Sequence, residues 1–303
     1  MGLLLTLSFT LLCAAALDQV QSAESPAPKA VLVTGASTGI GRKVTEKLAA
    51  DGYFVYAGAR KEEDLKALGA IKNVQAVRLD VTNLQEIDAA VETIKRGGRG
   101  LYGLVNNAGV STIGTLADLK PEEFDLLMAV NVYGPYRLTR AFEPLIVAAK
   151  GRVVTMGSIS GIGAPADLGA YATSKHAMEA FTDSLAAQMS TRDVQVSIIE
   201  PGNYNSQIGK NATMRTGVVT RQTERSKYKE PDEVADAVEK ALFEPKPKRR
   251  YMVAPDQDEA EWTIRKQIEQ LVQLNEGQPY TYDRDALLKM LDEALAGARP
   301  RTR

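Results

Sequence analysis

The sequence predicts an α/β fold: a doubly wound, mostly parallel sheet with helices on both faces, in a single domain followed by a C-terminal helical extension. Three observations carry this. Apolar runs of strand length alternate with amphipathic stretches of helical length from Lys29 to about Ala254, the pattern of βαβ units around a buried parallel sheet. The first apolar run passes straight into a glycine-rich turn, Thr34-Gly35-Ala36-Ser37-Thr38-Gly39-Ile40-Gly41, with helical sequence following at once. The chain has 303 residues, 44% hydrophobic and 25% charged, which is enough for one large domain with a sizeable core.

In chain order, strands are expected at Ala30 to Val33, Tyr53 to Ala57, Val74 to Leu79, Leu101 to Val105, Val153 to Met156, Val194 to Ile199 and Tyr251 to Val253. Helices are expected at Gly41 to Ala50, Leu84 to Ile94, Pro121 to Ala149 and Leu168 to Met189. Right-handed crossovers between such units give a doubly wound sheet. The domain is set at 29–255. In the helical extension, 256–303, the residues Trp262, Ile264, Ile268, Leu271, Val272 and Leu274 have the spacing of a helix packed on the main domain. At the other end, Leu3 to Leu17 is an uncharged apolar run with Ala14-Ala15-Ala16 at its close and a polar linker to residue 28. It reads as a secretory signal or short anchor, being shorter than the roughly 20 residues of a membrane span. A misassigned start codon is the competing reading.

Composition removes several function classes. Lys and Arg total 37 against 38 Asp and Glu, so no global basic field is available for nucleic acid. The one cysteine, Cys13, and the one histidine, His176, cannot form an intrachain disulfide or a Cys/His zinc site. Gly157-Ser158-Ile159-Ser160-Gly161 places isoleucine where a nucleophile elbow needs serine. A Ser-His-Asp hydrolase would need His176 as its base, directly beside Lys175.

Two constellations carry chemistry. Gly35, Gly39 and Gly41 let the backbone turn sharply and approach a pyrophosphate, and the helix that follows offers free N–H groups to it. The spacing differs from G-x-G-x-x-G, and a turn with only a structural purpose is the competing reading. In Tyr171-Ala172-Thr173-Ser174-Lys175, tyrosine and lysine share a helix face at i and i+4. A cation beside a phenol favours the phenolate, whose ordinary pKa is about 10, so such a pair can exchange protons near neutral pH. Ser158, thirteen residues upstream of the tyrosine, can bond a carbonyl or alcohol oxygen; Ser160 is its rival.

With these motifs in order, the chain resembles the short-chain dehydrogenase/reductase family over about residues 29–255, most closely the branch of 17β-hydroxysteroid and retinol dehydrogenases. Asn106-Asn107-Ala108-Gly109 stands where that family has its N-N-A-G turn, and Asp80-Val81 where an aspartate meets the adenine. Asn131 matches the fourth catalytic residue, and Pro201-Gly202 the nicotinamide-side motif. Ser206 replaces the usual threonine and keeps its hydroxyl. The resemblance implies Ser158, Tyr171, Lys175 and Asn131 as catalytic residues, Asn131 through a water leading to Lys175. It implies Gly35, Ser37, Thr38, Gly39, Ile40, Gly41, Arg60, Asp80, Val81, Asn107, Ala108, Gly109, Tyr171, Lys175, Pro201, Gly202 and Ser206 as cofactor-binding residues. Asn106 and Asn107 forming only a turn, and Asp80 capping the next helix, are the plainer alternatives.

The second strand ends Gly58-Ala59-Arg60-Lys61, without the acid that receives a ribose 2′-hydroxyl and with an arginine suited to a 2′-phosphate. NADP(H) is therefore expected over NAD(H), with Arg60 as a solvated loop residue the alternative. The expected activity is carbonyl–alcohol interconversion on a lipophilic substrate of steroid, retinoid or acyl-glycerone type, beneath a lid from Asn203 to Lys229 containing Tyr204, Ile208, Met214, Val218, Val219 and Tyr228. A reductase of sugars or acyl-thioesters, and a non-enzymatic NADP(H) sensor, are the rivals. The resemblance also implies a homodimer or homotetramer through residues 121–149 and 168–189. The apolar N-terminus implies a membrane-associated or exported protein, or a cytoplasmic one if the start is misassigned.

Overall fold

The computed structural model describes residues 28–220 and 223–297; the apolar segment from Leu3 to Leu17 lies outside them. Seven strands, β1 (Ala30–Thr34), β2 (Phe54–Ala59), β3 (Val74–Arg78), β4 (Gly103–Asn106), β5 (Arg152–Met156), β6 (Gln195–Pro201) and β7 (Arg250–Val253), form one sheet in the order β3-β2-β1-β4-β5-β6-β7. Every neighbouring pair is parallel; Leu32 of β1, for instance, pairs with Tyr56 on one side and Leu104 on the other.

Alternation along each strand explains why a nearly continuous apolar run is needed. Val31 and Val33 face one core while Ala30 and Leu32 face the other, so both sides of the sheet are covered. Helices α1 (Gly39–Ala50) and α8 (Asp232–Phe243) contribute Val44, Leu48, Val234 and Val238 to the first core. Helices α3 (Leu84–Arg96), α5 (Gly134–Ala148) and α6 (Gly169–Ser190) contribute Ile87, Ile94, Phe142 and Met189 to the second. Full burial of each large side chain is worth about 1.5–3 kcal/mol. The chain leaves β1 in one direction through β2 and β3, then returns to β4 on the other side. That reversal opens a crevice above the carboxyl ends of β1 and β4, where sheets of this kind receive ligands.

Several elements depart from expectation. Helices α2 (Glu62–Gly69), α7 (Ile208–Thr216) and α8 lie outside the four helical stretches singled out in the sequence; α2 and α7 are short and bury few apolar residues. The helix expected over Pro121 to Ala149 is three pieces: α4 (Pro121–Met128), a π-helical turn (Ala129–Tyr133) and α5. In the extension, α9 (Gln257–Asn275) and α10 (Arg284–Leu295) flank a turn. The expectation that the apolar residues of α9 pack on the domain is corrected in part: Trp262 packs over Gly163, but Ile264, Ile268, Leu271, Val272 and Leu274 are 44–77% exposed. A different stripe docks, with Thr263 fully buried and Gln270 Nε2 donating to Ile162 O at 2.9 Å.

Candidate active site

The crevice is a cavity of about 630 Å³ reaching from the glycine turn to the C-terminal extension. All seventeen residues expected at the cofactor line it: Gly35, Ser37, Thr38, Gly39, Ile40, Gly41, Arg60, Asp80, Val81, Asn107, Ala108, Gly109, Tyr171, Lys175, Pro201, Gly202 and Ser206. Ser158 and its rival Ser160 line it as well.

The glycine turn is shaped by backbone conformation. Gly35 and Gly39 have φ of 63° and 55°, a region that disfavours a Cβ. A Cβ at Gly41 would lie 2.3 Å from Gly35 O and from Asn107 Nδ2. Thr34 fastens this turn to the end of β4: its Oγ1 accepts from the N–H groups of Asn107 and Ala108, each at 3.0 Å. The Asn107 amide donates to Thr34 O at 2.8 Å and Gly35 O at 3.2 Å. The side chain of Thr38, the N-cap of α1, bonds none of that helix's N–H groups, and its first turn holds no acid. By contrast, Asn83, Asp256 and Asp283 cap α3, α9 and α10 with their side chains. The start of α1 thus keeps donors and positive dipole available to an anion in the cavity.

At the edge of the cavity, Arg60 follows β2 with its side chain 67% exposed and Nη1 3.7 Å from Asp80 Oδ2. Burial opposes ionisation of Asp80, but bonds from Thr82 and the charge of Arg60 outweigh it and hold the carboxyl below its ordinary value. Asn83, not Asp80, caps α3, so the capping alternative for Asp80 is excluded.

Opposite stand the groups expected to handle a proton. Tyr171 and Lys175 lie one turn apart on α6, with Lys175 Nζ 5.5 Å from the centre of the tyrosine ring. That ammonium is buried and donates to Met156 O, at the end of β5, at 2.8 Å. Ser158 sits just beyond β5; its Oγ accepts from Ser160 N–H at 3.1 Å and reaches Pro201 O at 3.5 Å. Asn131 is the exception, since it lies in the π-helical turn behind the cavity wall. Its Oδ1 accepts from Val110 N–H at 2.8 Å, and its Nδ2 donates to Val110 O at 2.9 Å and Ser174 Oγ at 3.0 Å. Ser174 Oγ in turn donates to Tyr171 O at 2.7 Å. The amide therefore clamps the segment after β4 to the turn of α6 carrying Tyr171. A shifted hydrogen-bond register inside a helix, here the π turn, is a frequent way of aiming such a side chain.

The lid is corrected in part. Ile208 and Tyr228 line the cavity, but Met214 and Val219 are 69% and 75% exposed. Tyr204 lines the cavity too, but from the core beneath: it is 1% exposed, with its hydroxyl donating to Glu233 Oε2 at 2.7 Å. Two residues of the wall, Arg225 and Glu259, were not anticipated, and Trp262, expected only to pack on the domain, lines the cavity as well. Arg225 stacks on Tyr228 and donates to Ser206 Oγ and Asn203 Oδ1. Glu259 accepts from Asn203 N–H at 2.8 Å and Nδ2 at 2.6 Å. No local motif marks them; they meet the site only through packing of segments distant in sequence. Further back, Glu179 of α6 and Glu200 of β6 are neighbouring carboxyls, with Arg250 Nε 3.2 Å and 3.5 Å away. Burial, reinforced by the charge of Glu179, pushes Glu200 up to about 8.

Comparison with known proteins agrees with this arrangement. The short chain dehydrogenase family model matches residues 29–216. The mouse mitochondrial D-beta-hydroxybutyrate dehydrogenase is 36% identical over 192 residues, 60% of this chain and 56% of that protein. Mouse retinol dehydrogenase 5 is 38% identical over 184 residues, 59% of this chain and 57% of that protein. The chain thus matches little more than half the length of these relatives. A solved short-chain dehydrogenase from Streptomyces avermitilis superposes with a TM-score of 0.70 at 28% identity, covering 91% of this chain and all of the other. The chain is a member of the short-chain dehydrogenase family.

Proposed function

We propose that the protein is an NADP(H)-dependent oxidoreductase that interconverts a carbonyl and an alcohol on a lipophilic substrate. The observation that carries this reading is a single cavity with an uncapped helix N-terminus and glycine turn at one end and Tyr171, Lys175 and Ser158 at the other. The first end fits a dinucleotide, because absent Cβ atoms and unused N–H donors are what a pyrophosphate needs at close range. Gly35, Ser37, Thr38, Gly39, Ile40 and Gly41 would hold it, with Asp80 and Val81 beside the adenine and Pro201, Gly202 and Ser206 beside the nicotinamide. Arg60, with no acid ending β2, favours a 2′-phosphate.

When bound, the nicotinamide supplies a hydride to a carbonyl carbon or takes one from an alcohol. In the reductive direction Tyr171 gives its phenolic proton to the substrate oxygen, and Ser158 donates a hydrogen bond to that oxygen. The Lys175 ammonium, held by Met156 O, stabilises negative charge as it develops on the phenol. Asn131, through Ser174, keeps the Tyr171 turn in register.

Steady-state oxidation of NADPH and NADH over a panel of ketosteroids, retinal and short-chain carbonyls tests the reading. NADPH is expected to have the higher kcat/KM, and Arg60→Ala to erase that preference. Equal kcat/KM for the two cofactors would refute the NADP(H) assignment, and binding without turnover on any carbonyl would refute the enzymatic one. We further propose a homodimer or homotetramer through α4–α5 and α6, where Tyr133 and Tyr136 are exposed; a monomer by light scattering would contradict it. Among the described residues no helix is long and apolar enough to cross a membrane. Membrane association or export through residues 3–17 is proposed from the sequence, and sequencing the mature N-terminus tests it.

A further inference from the structure

We infer that α9, beyond the segment matched by the family model, forms a wall of the substrate end of the cavity, with Trp262 as the surface that meets the apolar body of the substrate. The inference rests on reading the cavity as a carbonyl–alcohol site. Trp262 lines the same cavity as Tyr171 and Ser158. Its indole fills the space over Gly163: a Cβ there would stand 2.3 Å from Trp262 Cη2 and 2.8 Å from Cζ2. Gly163 follows directly on the turn carrying Ser158 and Ser160, so the ring abuts the segment that presents the serine hydroxyl.

The helix is held in place from both sides of the site. Glu259 grips the turn after β6 through Asn203 N–H and Nδ2, and a Cβ on Gly202 would lie 2.1 Å from its Oε2. Gln270 bonds Ile162 O beside Gly163. Thr263, next to the tryptophan, is fully buried and bonds Glu259 O at 2.8 Å. Asn203 also accepts from Arg225, so the lid is tied to α9 through one amide. Ile159, Leu168, Ile208 and Tyr228 line the cavity as well, and with the indole they offer apolar surface to a hydrocarbon ring or chain among polar groups that include Arg225, Asp258 and Glu259.

Trp262 is the only tryptophan in the chain, so its emission reports on this wall alone. In the full-length protein saturated with NADP+, adding 2-tetralone or 2-decanone is expected to change Trp262 emission saturably. In steady state with NADPH, Trp262→Ala is expected to lower the ratio of kcat/KM for 2-decanone over 2-butanone by about tenfold or more, mainly through KM. Trp262→Phe should restore most of that ratio. Gly163→Ala, which crowds the indole from behind, should lower it in the same direction. Emission unmoved by either ketone, or a ratio unchanged in Trp262→Ala, would overturn the inference. If the wild-type protein reduces no carbonyl, the function proposed above fails, and the emission titration alone decides whether Trp262 meets an apolar ligand.

Discussion

Glu200→Gln should flatten the dependence of stability on pH. Glu200 is 2% exposed on β6, facing Glu179 and Asp183 from α6 and Arg250 from β7. Burial first, and the Glu179 charge second, raise it from an ordinary 4.5 to about 8 despite the opposing charge of Arg250. The native state thus holds a proton that the unfolded chain releases above 4.5. The stabilisation is complete below 4.5 and is lost as pH rises towards 8, beyond which both states are ionised. At about 1.4 kcal/mol per tenfold, the full interval corresponds to about 5 kcal/mol. Glu179 shares in the same proton, so the expected contribution is about 2–5 kcal/mol. The assay is urea unfolding at pH 5 and pH 9 for both proteins. Wild type should lose at least about 2 kcal/mol more than Glu200→Gln over that span. Curves parallel to within about 0.5 kcal/mol would refute the reasoning, because they would mean that Glu200 folds with its charge on.

Two further substitutions probe the architecture. Gly39→Val places a β-branched side chain at φ 55°, with its Cβ 3.1 Å from Ser206 Cβ; backbone strain of roughly 1–2 kcal/mol and a tenfold or greater rise in the NADPH dissociation constant are expected by fluorescence titration. Unchanged affinity would contradict a close-approach role for this turn. Asn131→Ala leaves Val110 N–H and O without their amide partner in a part-buried segment, and a loss of about 2–4 kcal/mol in urea unfolding is expected, with a change under about 0.5 kcal/mol contradicting the clamp.

Much of the sheet was legible because its strands are buried on both faces. Runs such as Ala30 to Val33 and Val153 to Met156 are apolar but for Thr155 and of strand length, and they fall within a residue or two of β1 and β5. The expected cofactor and catalytic residues that line the cavity were legible for a related reason: all but Ser206 sit at or just beyond the carboxyl end of a strand or on the first turns of a helix, where short motifs fix position. What escaped was set by packing at a distance. Nothing in the sequence around Asn131 shows that the helix slips into a π turn there, and the partners of its amide, Val110 and Ser174, lie 21 and 43 residues away. Tyr204 lines the cavity, but nothing near it in sequence shows that it does so from the core, with Glu233, 29 residues on, receiving its hydroxyl. On α9 the apolar spacing misled beyond Trp262, because the stripe that docks carries Glu259, Thr263 and Gln270 beside that indole and is fastened by hydrogen bonds. Glu179 and Glu200 belong to different elements, and only the packing of α6 against β6 brings the two carboxyls together.

The most direct measurement is transfer of deuteride from 4-deuterated NADPH to a carbonyl substrate, comparing the wild-type protein with Tyr171→Phe. Wild type should place one deuterium on the carbinol carbon of the alcohol. Tyr171→Phe should bind NADPH nearly as well yet transfer label at least about a hundredfold more slowly, the scale of a lost general acid. Label transferred at the wild-type rate by Tyr171→Phe, or NADPH bound by the wild-type protein with no label passed to any carbonyl, would contradict the account.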